Sequence, residues 1–543
     1  MSPMSGAKGI LRNAFTVGAF TALSRVLGLV REMFQSRLIG AGVEQSAFTL
    51  AFAIPNMARK LFGEGALTAA FVPVFKGEVE SAGVARAARL ARAVMTMVVL
   101  MLGAIVLLCL GALEVVDGSR AALGLAATGP DGARVNLTVD LVRTLLPYML
   151  FICGAAFGMG VLNALGRFKA SSFMPCLLNI CWIGALGWIA FFADDPGSPA
   201  WLPADRRIRL VAWTILAAGA LQMAFLLWRM ARAGVRPLPS FAGWRDEKVR
   251  RVWRNLGVAA VGAGAVQINY ALDQFLAQVA SPWAAGVIGY AERLMDLPLG
   301  ILGVAFGTVL LPTFAGLFAR NDVAGAREAM AASVTSLMFV MIPAAVGLFV
   351  LAEEITAVVY EGGGFDALAT GRVSVAVAVY ALGLGFFGLQ KSLVPWFQAQ
   401  NDMKTPLRVS LMTIVLNAAL NILAVFALPV EWRHVGLAAS TVLCAALGCV
   451  LLAGFARRRN GPLGLAACGA PVVRMLLAAL AMALVLCALR PVLADLLAGL
   501  AQTPRRLVAL AVLIAAGGLT YGVLALLLLP GLARGVLRRR RGG

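Results

Sequence analysis

The stretch AVMTMVVLMLGAIVLLCLGAL, residues 93–113, carries no charge and no proline. A helix of about 20 apolar residues is long enough to cross the hydrocarbon core of a bilayer. The stretch does not alternate apolar with polar residues, so it does not read as a strand of an outer-membrane barrel. A helix satisfies all its backbone hydrogen bonds internally, which lipid requires. Similar runs recur along the chain, and they set its composition. Of 543 residues, 61% are hydrophobic and only 13% are charged, with a mean hydropathy of +0.87. Soluble domains carry roughly 45–50% apolar and about 25% charged residues. A soluble enzyme and a disordered chain are both excluded. The expected fold is an all-α polytopic membrane protein.

Candidate spans fall at about 10–38, 44–75, 90–116, 137–165, 171–193, 208–230, 255–279, 283–317, 331–352, 372–398, 406–428, 434–455, 472–493 and 505–530. That is about 14 transmembrane helices, in keeping with the roughly 20 residues each crossing needs. The charges between them sort by side. Lys8 and Arg12 precede the first span, and Lys76, Arg86, Arg89 and Arg92 follow the second. Arg167 and Lys169 follow the fourth, a basic stretch from Arg229 to Arg254 the sixth, and Arg320 and Arg327 the eighth. Lys404 and Arg408 follow the tenth, Arg457 to Arg459 the twelfth, and Arg538 to Arg541 close the chain. The alternate loops hold Asp194, Asp195, Glu353, Glu354, Glu361 and Asp366. Basic loops stay in the cytoplasm, so both termini are expected there. The net charge of +21 follows from this pattern and needs no nucleic-acid partner.

The eight cysteines form no CxxC pair, and several, such as Cys109, Cys176 and Cys444, fall mid-span. Disulfides and cysteine metal sites are not expected. The one histidine, His434, stands at a loop edge and excludes a multi-histidine metal site. Residues 1–12 show no signal-peptide cleavage pattern before the first span.

Two sequence pairs point to an internal repeat. Ala70-Phe-Val-Pro-Val-Phe75 ends the second span and Leu310-Leu-Pro-Thr-Phe314 the eighth. Asn163-Ala-Leu-Gly-Arg-Phe-Lys169 follows the fourth span and Gln398-Ala-Gln-Asn-Asp-Met-Lys404 the tenth. The two pairs are separated by nearly the same interval. They map span two to eight and four to ten, a parallel repeat of a kind used by transporters. The expected organisation is an N-terminal six-helix lobe (1–240), a C-terminal six-helix lobe (241–460), and two further helices with a basic tail (461–543). Chance likeness of proline-containing apolar helices is the competing reading.

Ionisable residues inside spans are expensive and usually line polar cavities. The first span carries Arg25, Arg31 and Glu32, the second Arg59, Lys60 and Glu64, and the eighth Glu292, Arg293 and Asp296; Lys391 sits in the tenth. Arginine stays charged when buried and holds phosphate oxygens through a planar fork of donors. Arg25, Arg59 and Arg293 together read as a receptor for a polyanion such as a pyrophosphate. The alternative is ion pairing that pins helices. A second polar set comprises Asp273 in the seventh span, Asn417 and Asn421 one turn apart in the eleventh, and Ser440 and Thr441 in the twelfth. A carboxylate with amide and hydroxyl oxygens suits a small hard cation such as sodium. Interhelical hydrogen bonding suits the same residues.

Several of these residues stand in motifs. Ser24-Arg-Val-Leu-Gly-Leu-Val-Arg31, Pro55-Asn-Met-Ala-Arg-Lys-Leu-Phe-Gly-Glu-Gly65, Ala70-Phe-Val-Pro73, Glu292-Arg-Leu-Met-Asp-Leu-Pro298 and Gln400-Asn-Asp-Met-Lys-Thr-Pro406 closely resemble the MurJ (MviN) family. That family belongs to the multidrug/oligosaccharidyl-lipid/polysaccharide exporter superfamily. The resemblance runs from the N-terminus to the last spans. It implies fourteen spans in two six-helix lobes, with a C-terminal pair forming a groove for a lipid tail. It implies a flippase, not an enzyme, in the bacterial inner membrane. Its substrate would be lipid II, the undecaprenyl-pyrophosphate-linked peptidoglycan precursor, moved by alternating access from the cytoplasmic to the periplasmic leaflet. Membrane lipids and the cell-wall synthesis machinery are the other partners implied.

By motif, Arg25, Arg31, Arg59, Glu64 and Arg293 take the substrate-cavity positions. Asp273, Asn417, Asn421 and Thr441 resemble a sodium site of some members, with sodium or the membrane potential as driving force and no other cofactor. The chain departs from some relatives at Ser46, where they carry an acid; Glu44 lies two residues earlier. Other functions fit less well. A cationic-drug exporter would favour an acidic or aromatic cavity. A polyprenyl-phosphate enzyme would need acid–base or metal-binding acidic motifs, and no DxxD-type cluster is present. A scaffold would have no use for intramembrane arginines.

Overall fold

The computed structural model describes residues 3–61, 67–122, 129–195, 197–241 and 246–529. Among the described residues every extended regular element is a helix, and the β contact is an isolated bridge between Gly362 and Phe365. The chain divides into two compact units. The first comprises residues 1–278 with 362–365, and the second 279–361 with 366–543.

The first unit holds α1 (Pro3–Ile39), α2 (Val43–Ala58), α3 (Leu67–Ala122), α4 (Gly129–Leu145), α5 (Tyr148–Ala164), α6 (Phe168–Trp188), α7 (Ala204–Ala231) and most of α8 (Glu247–Ala280). The second holds α9 (Ala284–Ala319), α10 (Val323–Val350), α11 (Ala352–Tyr360), α12 (Ala367–Gln398), α13 (Lys404–Ala427), α14 (Val430–Asn460), α15 (Gly469–Leu496) and α16 (Gln502–Leu528). Ten helices among the described residues are long and apolar enough to cross a membrane. They cover ten of the expected spans. The expected first, second, seventh and eighth spans correspond to α1, α2 with the start of α3, α8 and α9. These spans hold the intramembrane charges named above except Lys391, which lies in the tenth.

The structure redraws several expected boundaries. In the second span, expected as one run over 44–75, α2 runs to Ala58 and α3 starts at Leu67. α3 then continues through the expected third span, with a kink at Gly83, whose φ of 78° favours glycine. The fourth span is broken at Leu146–Pro147 between α4 and α5. Proline has no N–H for the helical ladder, so it opens α5 instead of continuing α4. The expected loop after the ninth span contains the short helix α11. Glu353 and Glu354 stand in its first turn, where the helix dipole favours negative charge. His434 is not at a loop edge. It lies buried in α14, with its ring 5.0 Å from that of Trp283 and Nε2 3.2 Å from the Arg372 carbonyl.

The repeated sequences share local geometry. Gly166, after α5, and Asn401, after α12, occupy the same place in their motifs. Both have left-handed backbone, φ 74° and 57°. In each turn the next residue donates back to the helix, Arg167 to the Leu162 carbonyl at 2.8 Å and Asp402 to the Phe397 carbonyl at 3.0 Å. The aromatic that ends each Pro-containing motif, Phe75 or Phe314, is fully buried. Phe75 stacks on Phe71, which meets Phe157, while Phe314 packs edge-on against Trp396. Aromatic burial of this kind supplies much of the packing surface in each unit.

Candidate functional site

Arg31, one of the predicted substrate residues, is held by several neighbours. It lies near the C-terminal end of α1, which packs along α6. Its Nη1 donates to Asn179 Oδ1 of α6 at 2.9 Å. Its Nη2 pairs with Glu32. Its guanidinium sits 4.3 Å from the Trp182 ring centroid, a cation–π distance. Trp182 is buried and meets Phe48 and Phe52 of α2 edge-on. Asn179 also donates to the Ser24 carbonyl at 3.0 Å, tying α6 to the turn of α1 that precedes Arg25. Arg31 Nε is buried and has no acceptor. A buried donor left unmade costs about 1–3 kcal/mol, so this N–H is a strong one to offer an anion.

Arg25 lies one to two turns earlier on α1 and is exposed between the exposed apolar residues Leu23 and Val26. Arg59 follows α2 and directs Nε and Nη2 to Asn56 Oδ1, at 3.1 and 3.0 Å. Beside it, Lys60 Nζ lies 4.9 Å from the centroid of Tyr270 in α8. Glu64 lies outside the described residues. Arg293 belongs to the second unit, where it is exposed on α9 next to the half-buried Glu292. Ser46 is fully buried in the first turns of α2, and Glu44 is half-buried.

The polar set proposed for a cation is placed as follows. In the second unit, Asn421 Nδ2 donates to Asn417 Oδ1 at 3.1 Å, Asn417 Nδ2 to Ser440 Oγ at 3.4 Å, and the Ser440 hydroxyl to Asn421 Oδ1. These three buried side chains join α13 to α14 in a closed ring of hydrogen bonds. Thr441 turns its hydroxyl to the Leu437 carbonyl of its own helix at 3.1 Å. Asp273 belongs to the first unit and accepts from Asn269 Nδ2 at 3.1 Å. No cluster of three or more His, Cys, Asp or Glu side chains suited to a metal occurs among the described residues.

Asn179 and Trp182 are the site residues that sequence reasoning missed. The available signal was an amide in the middle of an otherwise apolar span. Arg207 was missed as well. It is buried at the start of α7 and donates to the Leu38 carbonyl at 3.2 Å and to Asp194 Oδ1 at 2.5 Å, fastening the end of α1.

The fold and these charged helices define a polytopic helical membrane protein. A solved structure titled "Lipid II flippase MurJ, inward closed conformation" matches with a TM-score of 0.74 at 20% identity, over 95% of this chain and 99% of that one. An inward-facing MATE family multidrug transporter of the MOP superfamily matches with a TM-score of 0.63 at 14% identity, over 81% of this chain and 95% of that one. At these identities the likeness is one of fold. The family is settled by sequence: the model described as "Lipid II flippase MurJ" matches residues 35–502, and the chain belongs to that family. It is 34% identical to a probable lipid II flippase MurJ of Rhizobium tropici, over 76% of this chain and 75% of the relative. It is 32% identical to one of Vibrio cholerae, over 83% and 84%. It is 30% identical to the lipid II flippase MurJ of Burkholderia cenocepacia, over 82% and 83%.

Proposed function

We propose that this chain flips lipid II from the cytoplasmic to the periplasmic leaflet of a bacterial inner membrane. The observation that carries the reading is the family match across residues 35–502, supported by relatives named for that activity. The reading includes fourteen crossings, the ten apolar helices together with α1, α2 with the start of α3, α8 and α9, and both termini in the cytoplasm. The four added spans hold most of the intramembrane charges, Lys391 of the tenth apart, as expected of spans that face a polar route.

In this reading Arg25, Arg31, Arg59 and Arg293, with Glu64, supply the charges that the pyrophosphate meets while the protein alternates access. A pyrophosphate taken out of water without counter-charge would lose several kcal/mol per ion. Guanidinium groups answer that loss without changing protonation state. The residues act by binding, and no bond of the substrate is made or broken. Glu32 and Asn179 position Arg31. Sodium binding by Asp273, Asn417, Asn421 and Thr441 is a separable part of the proposal, with the membrane potential as the other source of drive. The cell-wall synthesis machinery would take up the flipped precursor.

The test is depletion of the chain in cells carrying labelled peptidoglycan precursor. Lipid II should accumulate on the inner leaflet, while its synthesis continues. Unchanged delivery to the outer leaflet in depleted cells would reject the flippase reading.

A further inference from the structure

A second charged site lies wholly within the second unit. α11, the C-terminal end of α15 and the first turns of α16 border a half-open cavity of about 450 Å³, with Glu353 exposed at its edge. Its charged lining is Glu353, Glu354 and Glu361 against Arg490, Arg505 and Arg506. Two of the three possible pairs are made inside the protein. Arg490 pairs with Glu354, Nη2 donating to Oε2 at 2.8 Å with Nε 2.6 Å from Oε1, and Nη2 also donates to the Val350 carbonyl. Arg506 Nη1 holds Glu361 Oε1 at 2.8 Å, and the Thr370 hydroxyl takes the other oxygen of Glu361 at 2.9 Å. Glu353 forms no ion pair among the described residues, and Arg505 donates only to a carbonyl, that of Ala494 at 2.9 Å. The cavity thus presents one carboxylate and one guanidinium that the protein does not pair with each other.

The rest of the lining is apolar: Ala357, Val358, Leu493, Ala494, Ala509 and Leu513. The turn between α15 and α16 joins two helices long enough to cross a membrane, so the cavity sits where a span meets water. A ligand that fits must carry a cation and an anion close together, with an apolar body beside them.

We propose that this cavity binds a zwitterionic glycerophospholipid of the phosphatidylethanolamine type. Arg505 takes the phosphodiester, Glu353 takes the ammonium, and the apolar wall takes the first part of the acyl chains. The volume is in the range of known small-ligand sites. Guanidinium–phosphate and carboxylate–ammonium contacts are charge-assisted and orient such a headgroup in one sense. The lipid would brace α16 against α11, independently of the transported substrate and of the arginines assigned to it.

The experiment is native mass spectrometry of the full chain in detergent, titrated separately with dioleoyl-phosphatidylethanolamine, dioleoyl-phosphatidylglycerol and water-soluble glycerophosphoethanolamine. The wild-type protein should retain one more phosphatidylethanolamine than the Glu353→Gln/Arg505→Ala double variant. Glu353→Gln should erase the preference for ethanolamine over glycerol headgroups, and Arg505→Ala should weaken both lipids about ten- to hundredfold. Among the described residues neither is in an internal ion pair, so both variants should stay monodisperse. Equal retention of the two lipids by the wild type, or equal retention by wild type and double variant, overturns the proposal. Displacement of the lipid by the soluble compound at equal concentration also overturns it, because the cavity would then recognise a free phosphate compound without the apolar wall.

Discussion

The Gly364 N–H donates to the Arg37 carbonyl at 2.6 Å, so the turn formed by residues 362–365 docks on the last turn of α1. The approach is close because Gly40 and Gly363 carry no side chain at the contact. Gly40 has φ 82°, and a Cβ there would lie 2.4 Å from the Gly364 oxygen. Gly363 has φ 56°, and a Cβ there would lie 2.3 Å from the Arg37 oxygen. Both positions combine left-handed backbone with backbone neighbours that cannot swing aside.

Gly40→Ala and Gly363→Ala should therefore each destabilise the protein, by about 1–2 kcal/mol for backbone strain alone and more for the displaced turn. Gly371→Ala, on a helix with open space around its Cβ position, should be neutral or slightly stabilising. Thermal midpoints of the purified variants in detergent check this. Equal midpoints for all three would show that the docked turn contributes nothing.

The arginine variants test substrate binding against helix pinning. Arg25→Ala, Arg59→Ala and Arg293→Ala should leave protein present and folded but unable to complement depletion, and Arg→Lys should impair transport less completely. Arg31 is held by Asn179, Glu32 and Trp182, so Arg31→Ala should lose both stability and transport. Asn179→Ala should reproduce part of the Arg31 defect. Complementation at normal abundance by the Arg25, Arg59 and Arg293 alanine variants would defeat the anion-receptor reading.

Asp402 links pH to stability at the turn between α12 and α13. Burial pulls its carboxyl up, but this is outweighed by the Thr405 N–H and hydroxyl, the Arg459 charge and the Lys404 N–H. The group is held below the usual carboxylate value. Its folded value is thus the lower one, so its stabilisation is complete above about pH 4 and is lost as pH falls through the folded value. The Asp402→Asn variant should show a shallower fall in thermal midpoint between about pH 5 and pH 3 than the wild type. Parallel acid limbs would remove Asp402 from the account.

Orientation can be read by thiol labelling in a version lacking the exposed Cys109 and Cys487. Cysteines at Lys169 and Arg458 should resist membrane-impermeant reagents in whole cells, and those at Ala200 and Leu368 should react. The reverse pattern would invert the proposed orientation.

For sodium, the expected outcome is a rise in thermal midpoint on replacing potassium with sodium, lost in Asp273→Ala. The Asn417–Asn421–Ser440 ring should make Asn421→Ala destabilising with or without sodium, since it strands buried partners. A wild-type midpoint indifferent to sodium would leave those amides a purely structural part.

Helix spans, charged loops and the repeated turns were legible in the chain because each depends on neighbouring residues. A run such as 93–113 is apolar whatever surrounds it, and Asp402 caps α13 through residues two and three positions away. The motif positions Arg25, Arg31, Arg59, Glu64 and Arg293 stand in three spans, and their proposed role comes from the family resemblance, not from spacing. The break at Leu146–Pro147 was not legible, because hydropathy averages over a window longer than a turn. The partners of Arg31 were beyond reach for a different reason. Asn179 and Trp182 lie about 150 residues away in sequence, and only the packing of α6 along α1 brings them to it. The same holds for Gly364 beneath Arg37 and for the unequal pairing of Glu353, Glu354 and Glu361 with three arginines. Hydrophobicity and charge order are properties of the chain, whereas which donor meets which acceptor is set by helix-to-helix packing over long sequence distances.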